Sequence, residues 1–127
     1  MKRPVLLDAS FLIALEREVV ASEIGAARRF LHELRGRRLV VSVVTVEEIL
    51  EGASDQVAAM SSLRRFATVG VHLEQASRCA LLPRRSPRRL GENDAWLVAT
   101  ADSLDADIVG AVRRAFERLG PRYLRFV

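Results

Sequence analysis

The stretch Val5-Leu6-Leu7-Asp8-Ala9-Ser10-Phe11-Leu12 decides how this chain begins to fold. Its first three residues form a short apolar run, which predicts a buried strand that ends at Asp8. Ser10 belongs to a residue type that caps helices, so a helix is expected over roughly residues 11–19. A buried strand that passes directly into a helix is typical of an α/β fold.

The same alternation continues along the chain. Further strands are predicted at residues 39–41, 69–71, 108–109 and 123–126. Further helices are predicted at 22–35, 45–51, 55–67, 73–82, 93–103 and 113–119, and the segment 83–89 is predicted to be a loop. Short buried strands separated by helices indicate a parallel sheet with helices on both faces. Such sheets place their functional sites at the carboxyl ends of the strands.

Length and composition indicate one globular domain over residues 1–127. Half of the residues (50%) are hydrophobic and 28% are charged, whereas disordered chains have low hydrophobicity. The single cysteine, Cys79, excludes an internal disulfide, and no Cys/His spacing matches a zinc site. No apolar run reaches the roughly 20 residues of a membrane span or resembles a signal peptide. We therefore expect a cytoplasmic protein with no membrane contact.

The basic residues are almost all arginine. Twenty Lys+Arg stand against 16 Asp+Glu, a net charge of +4, and Lys2 is the only lysine. Arginine pairs bidentately with phosphate and carboxylate, which indicates nucleic acid or an acidic partner, although arginine-rich codon usage explains the bias as well. The densest stretch contains Arg84, Arg85, Arg88 and Arg89 and predicts a phosphate-contacting surface for RNA, or alternatively a solvated loop. The pairs at 37–38, 64–65 and 113–114 are more typical of exposed faces.

Three acidic residues stand where a strand or loop passes into a predicted helix: Asp8, Glu48 and Asp94. Each has a structural explanation. Asp8 can close an Asx turn, Glu48 can form a capping box with Thr45, and a first-turn acid such as Asp94 suits the helix dipole. Alternatively, the three carboxylates converge on one hollow and hold a hard divalent cation such as Mg²⁺. A cation held in this way activates water and stabilises charge on a phosphate group.

Three segments resemble motifs of the PIN-domain ribonucleases, and most closely those of the VapC toxins of toxin–antitoxin modules. They are LLDASFLIAL at residues 6–15, SVVTVEEILEG at 42–52 and NDAWLVATA at 93–101. The second segment is similar to the pattern S-x-x-T-x-x-E-[LI]-x-x-G, which selects Glu48, and the third is similar to N-D-A-x-[IL]-x-A-x-A. Residues 106–111 and 122–126 resemble the last strands of the family, so the resemblance runs nearly from end to end.

This resemblance implies a PIN-like three-layer fold with a short parallel five-stranded sheet in the order 3-2-1-4-5. It implies an endoribonuclease that depends on Mg²⁺ or Mn²⁺, in which Asp8, Glu48 and Asp94 form the metal-holding acidic cluster and Ser10 lines that cluster. The implied partners are an RNA substrate and a cognate antitoxin. Residues 11–15 are apolar on nearly all faces, so part of this segment is expected to face the antitoxin or a second copy in a homodimer, unless the core buries it completely.

One position departs from the family pattern. The family usually has a fourth acid just after the fourth strand, and here Val112 stands at that position. Asp107 lies at the opposite end of the predicted strand, and Asp102 is about 12 Å along the helix from Asp94. Neither residue is expected to replace the missing carboxylate.

Two functions therefore remain open. In the first, Asp8 and Asp94 hold one ion and the chain is a nuclease of reduced activity. In the second, the chain is a disabled PIN module that binds antitoxin or RNA without cleavage. A PIN nuclease of RNA processing, outside any toxin module, is a third possibility. A small nucleotide-binding α/β protein is disfavoured, because no glycine-rich loop follows the first strand.

Overall fold

Five short parallel strands form the central sheet of the structure, a computed structural model that describes residues 2–82, 92–111 and 119–127. The strands are β1 (Val5–Leu7), β2 (Leu39–Ser42), β3 (Ala67–Val69), β4 (Asp107–Gly110) and β5 (Tyr123–Arg125). Their order is β3-β2-β1-β4-β5, and all four neighbouring pairs are parallel. The predicted α/β class and the strand order 3-2-1-4-5 are confirmed.

Six helices connect the strands within the described ranges. They are α1 (Ala9–Val20), α2 (Ala26–Glu33), α3 (Val43–Gly52), α4 (Gln56–Leu63), α5 (Leu73–Ala80) and α6 (Glu92–Leu104). None of them is long and apolar enough to cross a membrane. The predicted loop at 83–89 lies outside the described residues, as does the predicted helix at 113–119 up to its last residue.

Alternate residues of β1 supply the two halves of the core. Val5 and Leu7 point to one face of the sheet, where they join a cluster with Phe11 of α1 and buried residues of the α2 and α4 region. Leu6 points to the other face and joins a cluster with Cys79 of α5 and several residues of α6. All three β1 residues are fully buried. Because successive strand residues alternate between faces, a fully apolar strand requires helices on both sides, as predicted.

Several boundaries differ from those predicted. Helix α4 ends at Leu63 rather than continuing to residue 67, and the Phe66 amide donates to the Leu63 carbonyl in a turn. Phe66 is still buried, so its apolar spacing with α4 reflects core packing and not continued helix. Strand β3 therefore begins at Ala67, two residues before the predicted start. Its first two residues are exposed, which hid the strand from a search for apolar runs.

An ion-pair network ties together the side of the sheet where the strands begin, which we call the amino edge. Arg37 Nη2 lies 2.6 Å from Asp107 Oδ2, and the Arg37 side chain also donates to the Arg3 carbonyl. Arg3 lies 3.5 Å from the second Asp107 oxygen. This network joins the segments that precede β1 and β2 to the first residue of β4. Asp107 therefore has a structural role, at the edge opposite the strand ends.

A carboxylate from α1 caps the start of α2. The Glu18 carboxylate accepts hydrogen bonds from the backbone N–H groups of Gly25, Ala27 and Arg28, each at 2.9 Å. Removal from water raises the pKa of Glu18, but these three hydrogen bonds and the nearby Arg29 outweigh that effect, so the pKa lies below its usual value. Helix α2 has no cap from its own N-cap residue, so Glu18 replaces that local cap.

Candidate active site

The ends of three adjacent strands meet at one side of the sheet, which we call the carboxyl edge. The register pairs Leu6 with Val40 and Leu7 with Val109. The next residues along β1, β2 and β4 therefore lie side by side, and they include Asp8. In parallel α/β sheets this edge is where functional sites occur.

Asp8 joins β1 to α1. Its backbone N–H donates to the Val109 carbonyl at 3.0 Å, and its carbonyl accepts from Phe11 and Leu12. Its side chain is the N-cap of α1, with Oδ1 accepting from the Ala9 N–H at 2.8 Å. The residue is 6% exposed. Asp8 is thus held by the sheet and the helix together, as a helix cap rather than as an Asx turn.

Ser10 links Asp8 to the chain that leaves β4. Its hydroxyl donates to Asp8 Oδ2 at 2.7 Å and accepts from the Ala111 N–H at 3.0 Å. A hydroxyl has one hydrogen, so the bond from Ala111 leaves that hydrogen for the carboxylate. The prediction that Ser10 caps the helix is wrong, because Asp8 already occupies the cap. The structure places Ser10, which the resemblance assigns to the lining of the acidic cluster, in direct contact with Asp8.

Gly110 makes room for this pair, and sequence reasoning missed it. A Cβ at this position would lie 2.8 Å from Asp8 Oδ2 and 3.2 Å from Ser10 Oγ. The first distance is too short for any side chain, so only glycine lets β4 approach the carboxylate this closely. The sequence did contain one indication of this close approach, which is that the apolar strand β4 ends in a glycine.

Glu48 lies on α3, whose start differs from the predicted one. Ser42 caps this helix, with its Oγ accepting from the Val44 N–H at 3.2 Å, so the helix begins at Val43. Thr45 is therefore inside the helix, and a Thr45–Glu48 capping box is wrong. Glu48 is exposed, and α3 packs against both α1 and α6. The structural explanation considered for Glu48 no longer applies.

Two further carboxylates stand on α3 beside Glu48. A hydrogen bond between the side chains of Glu47 and Glu51, together with their mutual repulsion, raises the pKa of Glu47 above its usual value. Glu47 and Glu51 are one helical turn apart, a spacing at which like charges repel each other. Together with Glu48 they place three acidic side chains on the exposed part of α3.

Asp94 lies in the first turn of α6 and is half-buried. Helix α6 begins at Glu92, so the predicted cap at Asn93 is inside the helix and that prediction is wrong. An acid in a first turn is favoured by the helix dipole, so this structural explanation for Asp94 still applies. The following residue, Ala95, is fully buried in the core and anchors the start of the helix.

Carboxylate and hydroxyl oxygens are the ligands that Mg²⁺ prefers, so the residues at this edge fit a hard divalent cation by donor type. Asp8 and Ser10 are in direct contact, and Glu48 and Asp94 stand on helices that pack together. Within the described ranges, no three residues of the types His, Cys, Asp and Glu form a group that encloses a metal. Mg²⁺ is usually held by only one or two protein carboxylates, with waters and substrate phosphate completing its shell.

The other acids considered near the site have partners elsewhere. Asp107 lies in the amino-edge ion pairs, and Asp102 Oδ1 lies 3.1 Å from Arg122 Nη1. The expectation that neither replaces a fourth acid agrees with these contacts. The position of Val112 lies outside the described residues, as do those of Arg84, Arg85, Arg88 and Arg89.

The chain is similar in fold to several solved toxin–antitoxin structures. One is a toxin–antitoxin complex from Klebsiella pneumoniae, with 22% identity, a TM-score of 0.77, and coverage of 97% of this chain and 98% of that chain. DNA-bound VapBC from Salmonella typhimurium has 16% identity, a TM-score of 0.75, and coverage of 99% and 100%. VapBC-1 from nontypeable Haemophilus influenzae has 20% identity, a TM-score of 0.72, and coverage of 96% and 97%. At these identities the likeness establishes the fold.

No curated protein matches the chain. The sequence model of the PIN domain family, in contrast, matches residues 5–120, which include Asp8, Glu48 and Asp94. With nearly the whole chain matched, this protein belongs to the PIN domain family.

Proposed function

We propose that this chain is a metal-dependent endoribonuclease toxin of a toxin–antitoxin module, formed by a single PIN-like domain over residues 1–127. The observation that carries the proposal is the Asp8 carboxylate, which Ala9 and Ser10 hold at the carboxyl edge and Gly110 leaves room for. PIN domains are generally nucleases. A buried, oriented carboxylate at this edge is the group such an enzyme needs first.

Asp8, Glu48 and Asp94 are the proposed ligands for Mg²⁺ or Mn²⁺, with Ser10 in support. When bound, the ion supplies a nucleophilic water near neutral pH and stabilises charge on the phosphate oxygens. The chain's own contribution is orientation. The Ala9 N–H fixes one oxygen of Asp8, and the Ser10 hydroxyl fixes the other. A carboxylate held at both oxygens loses little further freedom when it binds a ligand.

The four arginines of the segment 84–89 are proposed to contact the RNA backbone. They precede Asp94 in the sequence by only a few residues. Phosphate contacts add affinity that falls with salt concentration and carry little sequence information.

Replacing Arg84, Arg85, Arg88 and Arg89 together with serine should flatten the salt dependence of RNA binding. Each lost phosphate contact on single-stranded RNA reduces the slope of log affinity against log salt by about 0.7. A titration of labelled RNA at several salt concentrations measures this slope. A variant with the slope of the parent would rule out the contact.

An antitoxin is the proposed protein partner, and residues 11–15 supply part of its surface. Phe11, Leu12 and Leu15 are buried, whereas Ile13 is 43% exposed. Ile13 borders a shallow hollow of about 30 Å³ between α1, α3 and α4. Its other lining residues are Leu12, Glu16, Ile49, Ser62, Leu63, Arg65 and Phe66. An apolar side chain of an antitoxin helix suits this hollow, and a second copy of the chain in a homodimer is the competing occupant.

Ile13→Asp should prevent stable complex formation with the cognate antitoxin. A charge placed in an apolar contact costs several kcal/mol when it is buried unpaired, about a 100-fold or greater loss of affinity. Co-purification of tagged toxin with antitoxin measures the loss. The control is Val57→Asp, at an 82% exposed position of α4. Equal recovery of antitoxin with both variants would refute the assigned surface.

A disabled PIN module that binds without cleavage is the second candidate function. One observation favours it, because Val112 stands where the family usually has an acid. A site with fewer carboxylates binds a divalent cation more weakly.

Mn²⁺-dependent cleavage of a mixed RNA pool separates the two functions. We expect cleavage by the parent chain, at least about 100-fold lower in Asp8→Asn, because metal catalysis contributes several kcal/mol. Val112→Asp should increase the rate. Cleavage by Val112→Asp alone would establish the binding module instead, and cleavage unaffected by Asp8→Asn would exclude the assigned site.

Gly110→Ala should reduce cleavage by about 10- to 100-fold, because its Cβ displaces Asp8 Oδ2 and small misplacements of reacting groups are costly. Its Mn²⁺ affinity, followed by calorimetry, should fall as well. Gly52→Ala is the matched control, since a Cβ there meets nothing within 4 Å. Unchanged cleavage and Mn²⁺ affinity in a folded Gly110→Ala protein would contradict the role assigned to the glycine.

A further inference from the structure

Basic residues precede three adjacent strands at the amino edge. They are Lys2 and Arg3 before β1, Arg37 and Arg38 before β2, and Arg64 and Arg65 before β3. The register pairs Val5 with Leu39 and Val40 with Ala67, so these three segments lie next to one another. Neighbouring strands are about 4.8 Å apart, so the row of basic residues spans roughly 10 Å.

Three of the six side chains are already engaged. Arg3 and Arg37 pair with Asp107, and Arg3 also lies 3.6 Å from Asp105. The guanidinium of Arg65 lies 4.8 Å from the centre of the Phe66 ring. These contacts fix part of the row and leave the charge of the remainder uncompensated.

The other three side chains are those of Lys2, Arg38 and Arg64. All three are exposed. In the part of the chain that the structure describes, none of them has an ion-pair partner or a side-chain hydrogen bond. Exposed cations beside an already basic network attract a polyanion through their combined field.

The carboxyl edge has the opposite sign. Asp8 ends β1 there, and Glu47, Glu48 and Glu51 stand on the helix that follows β2. Among the described residues, these two ends of the sheet therefore differ in charge, and the amino edge attracts phosphate more strongly than the acidic face of α3 does.

The surroundings of the row favour nucleic acid over an acidic protein. Protein–protein interfaces have an apolar core, whereas protein–nucleic acid interfaces are polar and strongly positive. Among residues 2–4, 36–38 and 64–66, all of which are described, none is an exposed large apolar residue. Arg65 alone of the row also lines the hollow beside Ile13. The arginine guanidinium also matches phosphate oxygens in a bidentate manner.

We propose that the amino edge, defined by Lys2, Arg3, Arg37, Arg38, Arg64 and Arg65, binds the phosphate backbone of RNA. This surface lies at the end of the sheet opposite Asp8, so it is separate from the candidate active site. The choice of RNA rests on the proposed function. The contact itself is a binding property and needs no cleavage.

The test uses the full chain with Asp8→Asn, so that RNA is not consumed, and a labelled RNA of about 16 nucleotides. Arg38→Ser combined with Arg64→Ser should weaken binding at low salt and reduce the slope of log affinity against log salt by about 1.4, which is two phosphate contacts. Arg29→Ser combined with Arg78→Ser removes the same charge from helices α2 and α5. This control should leave the slope unchanged.

Three results would overturn the proposal. They are an unchanged slope in the amino-edge variant, an equal change in the control variant, and displacement of RNA by polyglutamate as effectively as by unlabelled RNA. Thermal unfolding confirms that both variants remain folded. A separate cleavage assay of the parent chain tests the proposed function. If the chain binds RNA through the amino edge but does not cleave it, the proposed nuclease function is contradicted and the binding surface is not.

Discussion

The hydrogen bond from the Asp8 amide to the Val109 carbonyl joins the central strand of the sheet to β4 at the point where β1 becomes a helix. The remaining geometry of the site depends on this junction. The Asp8 carbonyl accepts hydrogen bonds from the first amides of α1. Its carboxylate accepts hydrogen bonds from the Ala9 N–H and the Ser10 hydroxyl. One residue thus completes a strand, begins a helix and presents a carboxylate. Any shift of β1 against β4 would move all three together.

Basic and acidic residues lie at opposite ends of the central strands. The segments that precede β1, β2 and β3 carry basic residues, and those that follow β1 and β2 carry carboxylates. At the amino edge, Asp107 lies between Arg3 and Arg37 and holds β1, β2 and β4 in register. The cost of removing both charges from water offsets much of the attraction in such ion pairs, so the network adds little to stability. On the exposed face of α3, the nearby Glu51 carboxyl group raises the pKa of Glu47 above its usual value.

Much of this architecture is predictable from the sequence because fully buried strands leave a simple signal. The apolar runs that contain Leu6, Val40 and Ile108 identified β1, β2 and β4, whereas β3 begins with exposed residues and was placed two positions late. Helix starts were less predictable. Ser10 and Thr45 are good capping residues by type. The observed caps are instead Asp8 and Ser42, because each helix begins directly where the preceding strand ends, and residue type alone does not reveal that position.

The candidate site was predictable only in part. Motif spacing selected Asp8, Glu48 and Asp94, yet spacing along the chain does not specify how near their side chains lie. Gly110 left little trace in the sequence because its contribution is the volume that it does not occupy. A similar relation holds between Glu18 and Gly25, since a Cβ at position 25 would lie 2.7 Å from the Glu18 carboxyl carbon. A side chain at position 25 and the Glu18 cap would therefore occupy the same space, so replacing Gly25 would displace the carboxylate that caps α2.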